Sequence, residues 1–246
     1  MEVLYAPDMS FTPQSTQHGY WLLYAVISTI FWLYLGKVAK TPEEEQKIGW
    51  YMGSIGLLSW VYSEVMMLTF NPWETMSGLP LHLCYFLNFV LPLMVKRRSF
   101  EVFDWVYPIV MAGCLQALLT PDLKSSFPNH FSIKYWLVHI GLVQCALYAI
   151  VVYGFRPTFK GIFKCLLGFN IYAAIVWCFN RVLDTNFMYL REKPPGTILD
   201  SLGEYPYYIF GTELLALVLF FVVWLPFGVR KNKLVVTQEN QKESAY

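Results

Sequence analysis

The sequence predicts an all-α polytopic membrane protein of seven transmembrane helices, with its N-terminus outside and its C-terminus in the cytoplasm. Three observations carry that prediction. The first is composition: of 246 residues, 56% are hydrophobic and only 14% charged, with a mean hydropathy of +0.42. Soluble domains carry about 25% charged residues. The second is the presence of apolar stretches at residues 19–36, 49–70, 79–95, 100–119, 131–153, 161–183 and 207–228, most of them close to the ~20 residues that cross a bilayer. The third is charge placement. The segments after spans 1, 3, 5 and 7 hold twelve Lys and Arg, whereas the N-terminus and the segments after spans 2, 4 and 6 hold three (Lys124, Arg191, Lys193). Basic residues mark the cytoplasmic side, and the alternation supports seven spans. The chain divides into an outer segment at 1–18, a membrane domain at 19–228 and a cytoplasmic polar tail at 229–246, expected to be disordered.

Residues 1–18 hold no Lys or Arg and are broken by Pro7, Asp8 and Pro13, so they do not read as a signal peptide. The first span offers only hydroxyls among its polar groups. The second carries Glu64 near its outer end. The third is Leu79-Pro-Leu-His-Leu-Cys84-Tyr-Phe-Leu-Asn88 through Val95, closed by Lys96, Arg97 and Arg98. It brings His82, Cys84 and Asn88 into an apolar stretch. The fourth has Asp104 toward the cytoplasm and Gln116 toward the outside. The fifth carries His139 and Gln144, the sixth Lys164, Asn170, Asn180 and Arg181, and the seventh Glu213. Trp21, Trp50, Trp73 and Trp136 fall near span ends, where aromatic rings favour the interface. Two outer loops read as structured: Thr120–His130, with a Pro near each end, and the long connection Asp184–Pro206.

Topology gives each polar group a depth. His82, Cys84, His139 and Glu213 come early in inward-running helices. Glu64, Gln116, Asn180 and Arg181 come late in outward-running ones. All eight therefore lie in the outer half, with Asn88 just below. Isolated charges in lipid cost a few kcal/mol each, so convergence on one outward-opening cavity is the expected arrangement. The bland alternatives carry weight: Glu64 or Glu213 pairing with Arg181 as a structural ion pair, His139 and the amides as interhelical hydrogen-bond glue, and Cys84 as a small buried hydrophobe.

A thiol and an imidazole in one cavity form a nucleophile pair suited to attack on an ester carbonyl. Cys84 and His139 are the catalytic candidates. His82, Asn88, Glu64, Gln116, Asn180, Arg181 and Glu213 are candidates for binding or support. Asn88 shares a helix face with Cys84, so it could hold a head group or an oxyanion. Arg181 suits a lipid phosphate. The net charge of +1 indicates no nucleic-acid surface. The five cysteines are scattered, without CxxC spacing. No metal, cofactor or disulfide framework is expected.

These residues also carry a resemblance. Leu79-Pro-Leu-His-Leu-Cys84 resembles the signature of the bacterial YwaF-type integral membrane proteins. So do Leu119-Thr-Pro-Asp-Leu123 with Phe127-Pro128, Tyr135-Trp-Leu-Val-His139, Asn186-Phe-Met-Tyr-Leu190 with Lys193-Pro194, and Asp200 through Tyr208. The match runs in order over residues 50–225, with Gly203-Glu-Tyr-Pro206 departing from a Gly-x-Trp-Pro pattern. That family is similar to a vertebrate transmembrane acyltransferase for ether phospholipids and, more remotely, to androgen-induced hydrolases of fatty-acid esters. The resemblance implies a nucleophile at Cys84 and a histidine at His139, with membrane phospholipid or lysophospholipid as partner, in a bacterial cytoplasmic membrane. The expected activity is acyl transfer between phospholipids. Its rivals are ester hydrolysis at the same site and a transport or ligand-sensing role built on Glu64, Arg181 and Glu213. Head group, acyl chain and oligomeric state stay open.

Overall fold

The computed structural model describes residues 10–70, 78–193 and 201–243, with side chains as far as residue 228. Trp73, Pro194–Asp200 and the first nine residues, each used above, lie outside the described residues.

Seven long helices follow one another: α1 (Thr16–Val38), α2 (Pro42–Phe70), α3 (Leu83–Arg97), α4 (Phe100–Leu119), α5 (His130–Val151), α6 (Phe159–Leu183) and α7 (Tyr207–Glu243). Among the described residues no strand forms; the one β-type contact is an isolated bridge between Ser10 and Ser125. Five helices are long and apolar enough to cross a membrane: α1, α4, α5, α6 and the Tyr207–Gly228 part of α7. The chain is an integral membrane protein. The helix α3 is only 15 residues long, and α2 opens on Glu43, Glu44 and Glu45. The last helix runs through the expected polar tail to Glu243, with no glycine or proline after Gly228 to stop it.

Local chemistry sets the helix ends. Ser15 Oγ accepts from His18 N at 3.3 Å, Asn129 Oδ1 from Phe131 N at 2.9 Å and Thr158 Oγ1 from Gly161 N at 3.0 Å. Each satisfies an otherwise orphaned first-turn donor. The start of α6 is further held from α4. Buried Asp104 accepts from Thr158 N at 2.7 Å and Thr158 Oγ1 at 2.9 Å, with Lys164 Nζ 3.7 Å away. Arg98 and Asp184 close α3 and α6 in the left-handed region, at φ 49° and 51°.

The core is centred on α5, which is enclosed by α2, α3 and α4. It contacts α2 along glycines. Gly56 lies where a Cβ would stand 2.6 Å from Asn88 Oδ1 and 3.2 Å from the Leu137 carbonyl oxygen. Small residues let membrane helices approach this closely. Within α4, residues Val110–Cys114 form a π-helical turn packed against α5.

The bundle has two chemically different ends. At one, Arg98 pairs with Glu45 at 3.0 Å, and Tyr148 and Tyr153 donate to Glu45 O and Val95 O. Lys37, Lys40, Lys47, Lys96 and Arg97 flank these contacts in the chain. At the other end, the N-terminal segment joins the α4–α5 loop through Phe11 N→Lys124 O at 3.1 Å. His18 Nε2 bonds Leu118 O at 2.9 Å. The α6–α7 loop reaches the same end, where Tyr189 Oη donates to Asp122 Oδ2 at 3.4 Å. These contacts gather the N-terminal segment with the α4–α5 and α6–α7 loops at one end, and the start of α2 with the α3–α4 connection at the other.

Candidate active site

Cys84 is the second residue of α3. The helix begins at Leu83, four residues later than the apolar stretch begins, because Gly78–Leu81 turn before it. His82 is therefore the extended N-cap residue (φ −68°, ψ 134°) and makes no side-chain cap. Among the described residues, the first-turn N–H groups of Leu83 and Cys84, at the positive end of the helix, have no side-chain acceptor. Anions are favoured there.

His139 lies in the third turn of α5, counted from its N-terminal end. Its Nδ1 contacts the Tyr135 carbonyl oxygen at 2.7 Å. A carbonyl only accepts, so Nδ1 carries the proton, and in the neutral form of the ring Nε2 is bare. The ring packs on Tyr135, 4.3 Å between centroids, and the Tyr135 hydroxyl is tied to Ala117 O at 2.8 Å. Both the orientation and the tautomer are thereby set. The Cys84 and His139 side chains lie close enough to influence each other's electrostatics. A residue pair 55 apart in sequence, on separate helices, is brought together.

A second thiol completes the cluster. Cys114 Sγ lies 3.8 Å from Cys84 Sγ, carried there by the π turn of α4. Such turns recur at functional sites. Sequence reasoning missed Cys114; its signal was a cysteine late in an outward-running span, at the depth assigned to Cys84.

The support residues divide. His82 stays at the mouth: its Nδ1 accepts from Met188 N at 3.4 Å, and its ring lies 5.3 Å from Phe187 and 5.9 Å from Tyr189. The strap Phe187–Tyr189 thus covers His82. Burial, with Asp122 beside it, raises the Tyr189 phenol above its ordinary range. Asn180 holds this strap rather than a substrate. Its Oδ1 accepts from Phe187 N at 2.8 Å and Thr185 Oγ1 at 3.0 Å, and its Nδ2 donates to Phe187 O at 2.9 Å. Asn88 is buried one turn below Cys84, and its Nδ2 has no hydrogen-bond partner among the described residues.

Three expected partners point elsewhere. Gln116 is exposed and bonds Thr120 Oγ1 at 2.8 Å, within its own helix end. Arg181 is exposed with its guanidinium 5.2 Å from the Trp177 ring. Glu213 accepts from Asn170 Nδ2 at 2.8 Å. Neither Glu64 nor Glu213 pairs with Arg181. Glu64 instead accepts from Lys134 Nζ at 3.0 Å, and this lysine is nearly fully enclosed, 4.8 Å from the Tyr85 ring and 5.2 Å from Phe131. Lys134 was not assigned a partner from sequence. Among the described residues no three His, Cys, Asp or Glu side chains stand close enough to hold a metal ion.

The family model described as TMEM164 family matches residues 13–224, which takes in the Cys84, Cys114 and His139 cluster and all but the end of the helical bundle. The chain belongs to the TMEM164 family. Membership in this transmembrane family agrees with the apolar helices of the bundle. No curated protein and no solved structure matches the chain.

Proposed function

We propose that this family member is a membrane-embedded acyltransferase, or transacylase, that moves acyl chains between phospholipids through a Cys84 thioester. The observation that carries this reading is the His139 imidazole, held by Tyr135 O through Nδ1 so that Nε2 is left to serve the adjacent thiol. Cys84 donates its proton to Nε2 as sulfur attacks the ester carbonyl of a donor phospholipid. The C–O bond breaks, His139 returns the proton to the departing lysolipid oxygen, and an acyl thioester remains. An acceptor lysolipid hydroxyl then gives its proton to Nε2 and attacks the thioester. The proton returns to the Cys84 sulfur as the new ester leaves. The uncapped N–H groups at the start of α3 are placed to hold the oxyanion, and Asn88 Nδ2 is a further donor. In this reading all seven helices span the membrane, the mouth under the Phe187–Tyr189 strap faces outward, and the basic end lies in the cytoplasm. The YwaF-type resemblance supports a bacterial cytoplasmic membrane as its location in this reading.

The test uses purified full-length protein and a phospholipid with an alkyne-tagged acyl chain. Wild type should acquire a label released by neutral hydroxylamine. Cys84→Ala should lose it, and His139→Ala should slow its formation by about 100-fold or more. Label release should accelerate on adding lysolipid. Release at the same rate in water alone makes the enzyme a hydrolase. Transfer retained in Cys84→Ala would sink the mechanism.

A further inference from the structure

Cys114 has no task in the acyl-transfer chemistry above, yet its sulfur lies 3.8 Å from that of Cys84. The two thiols come from different helices and differ in access: Cys84 is half-buried, whereas Cys114 is 1% exposed. Bonded sulfurs stand about 2.05 Å apart, so a closure of about 1.8 Å separates this contact from a disulfide. Both sides have room to give. Cys114 ends the π turn Val110–Cys114, and a Cβ on its neighbour Gly113 would meet nothing within 4 Å. Cys84 lies in the first turn of α3, just after the Gly78–Leu81 turn. Helix ends are among the places where local opening costs least.

We propose that Cys84 and Cys114 are a redox modification site: they close into a reversible disulfide when a small disulfide oxidant reaches Cys84. The pair stands on this geometry; its consequence for activity rests on the acyl-transfer reading. The difference in access sets the order of steps. Cys84 passes its proton to His139, and the thiolate attacks one sulfur of the oxidant, RSSR. The oxidant's S–S bond breaks, the first RS⁻ leaves and takes that proton, and Cys84 holds a mixed disulfide. Cys114 then attacks the Cys84 sulfur, and the second RS⁻ leaves with the Cys114 proton. Two thiols have lost two electrons and two protons, and RSSR has become two RSH. Excess thiol reverses each step. A sulfur held in a disulfide cannot carry an acyl group, so the oxidised protein is switched off. In the orientation read from the charges, the pair lies toward the outer face, where disulfides form and persist.

The test incubates purified full-length protein with bis(2-hydroxyethyl) disulfide, quenches with acid and maps the peptides without reduction. In wild type a peptide linking Cys84 to Cys114 should appear, and dithiothreitol should remove it. Exposed Cys178 reports that the oxidant is active. In Cys114→Ser the linked peptide should be lost and the hydroxyethyl adduct should accumulate on Cys84, which wild type clears by closing the disulfide. An equal adduct on Cys84 in wild type and Cys114→Ser would overturn the proposal. So would Cys84 and Cys114 both staying unmodified while Cys178 reacts. Where Cys114→Ser does not fold, the wild-type map decides alone: the linked peptide supports the pair and its absence overturns it. Acyl labelling of the same samples separates this inference from the enzymatic reading. Label lost on oxidation, and regained when the protein is reduced before donor lipid is added, supports the switch. Label that survives full conversion to the linked peptide overturns it. A linked peptide in a protein that never acquires label leaves the disulfide standing and removes the acyl-transfer reading.

Discussion

Lys134 and Glu64 meet at 3.0 Å in an enclosed setting, with the lysine walled by Tyr85 and Phe131. Such a pair offsets the desolvation of both ions only while both are present; removing one partner strands the other. Lys134→Met should therefore lower stability by about 3 kcal/mol, and Glu64→Gln by a similar amount. The double substitution should recover most of the loss. Thermal unfolding of the four proteins in one detergent reads this cycle. Losses that simply add would mean that the two residues do not act as a pair. At this scale the sequence was half legible. Depth along a span follows from topology, and it brought Cys84 and His139 to one level. Depth says nothing of the direction a side chain faces around its helix. Gln116, Arg181 and Glu213 share that level and face away, whereas Lys134 and Cys114, left aside, face in.

The helices follow the apolar stretches closely because a lipid-exposed backbone must satisfy its own hydrogen bonds. What the stretches did not reveal were interruptions of α-helical form within apolar sequence. Gly78–Leu81 turn where the span was expected to have begun, which makes His82 an N-cap, and α4 carries a π turn that moves Cys114 beside Cys84. Neither leaves a mark on hydropathy. Helix-to-helix spacing is more legible, through glycine, and two facing glycines make a sharp comparison. A Cβ on Gly141 would meet nothing nearer than Gly56 at 3.8 Å. Gly141→Ala should therefore be neutral, or stabilising by up to ~1 kcal/mol through helix propensity. At Gly56 the same methyl meets Asn88 Oδ1 at 2.6 Å and the Leu137 carbonyl at 3.2 Å. Overpacking of this kind costs about 1–3 kcal/mol, so Gly56→Ala should lower the melting temperature despite its better propensity. Equal melting temperatures in the two variants would show that α2 and α5 have room to move apart.

For the whole molecule, the decisive property is which end faces out. The fold joins the N-terminal segment, the α4–α5 loop and the α6–α7 loop at one end, through Phe11–Lys124 and Tyr189–Asp122. It joins Glu45, Val95, Arg98 and Tyr153 at the other. The thiol–imidazole pair sits near the first end, beneath the strap. Twelve basic residues against three predict that the second end faces the cytoplasm. A lipid entering at Cys84 would therefore come from the outer leaflet. Single cysteines introduced into a background without native cysteines test this directly. Glu192→Cys, in the α6–α7 loop, should react in intact cells with a charged, impermeant maleimide. Lys160→Cys, at the start of α6, should react only after the membrane is permeabilised. The reverse pattern would turn the protein over, move the site to the inner leaflet and make cytoplasmic lysolipid the accessible acceptor. Labelling of both from one side would remove a span from between them, and with it the alternation on which the depth of Cys84 and His139 was argued.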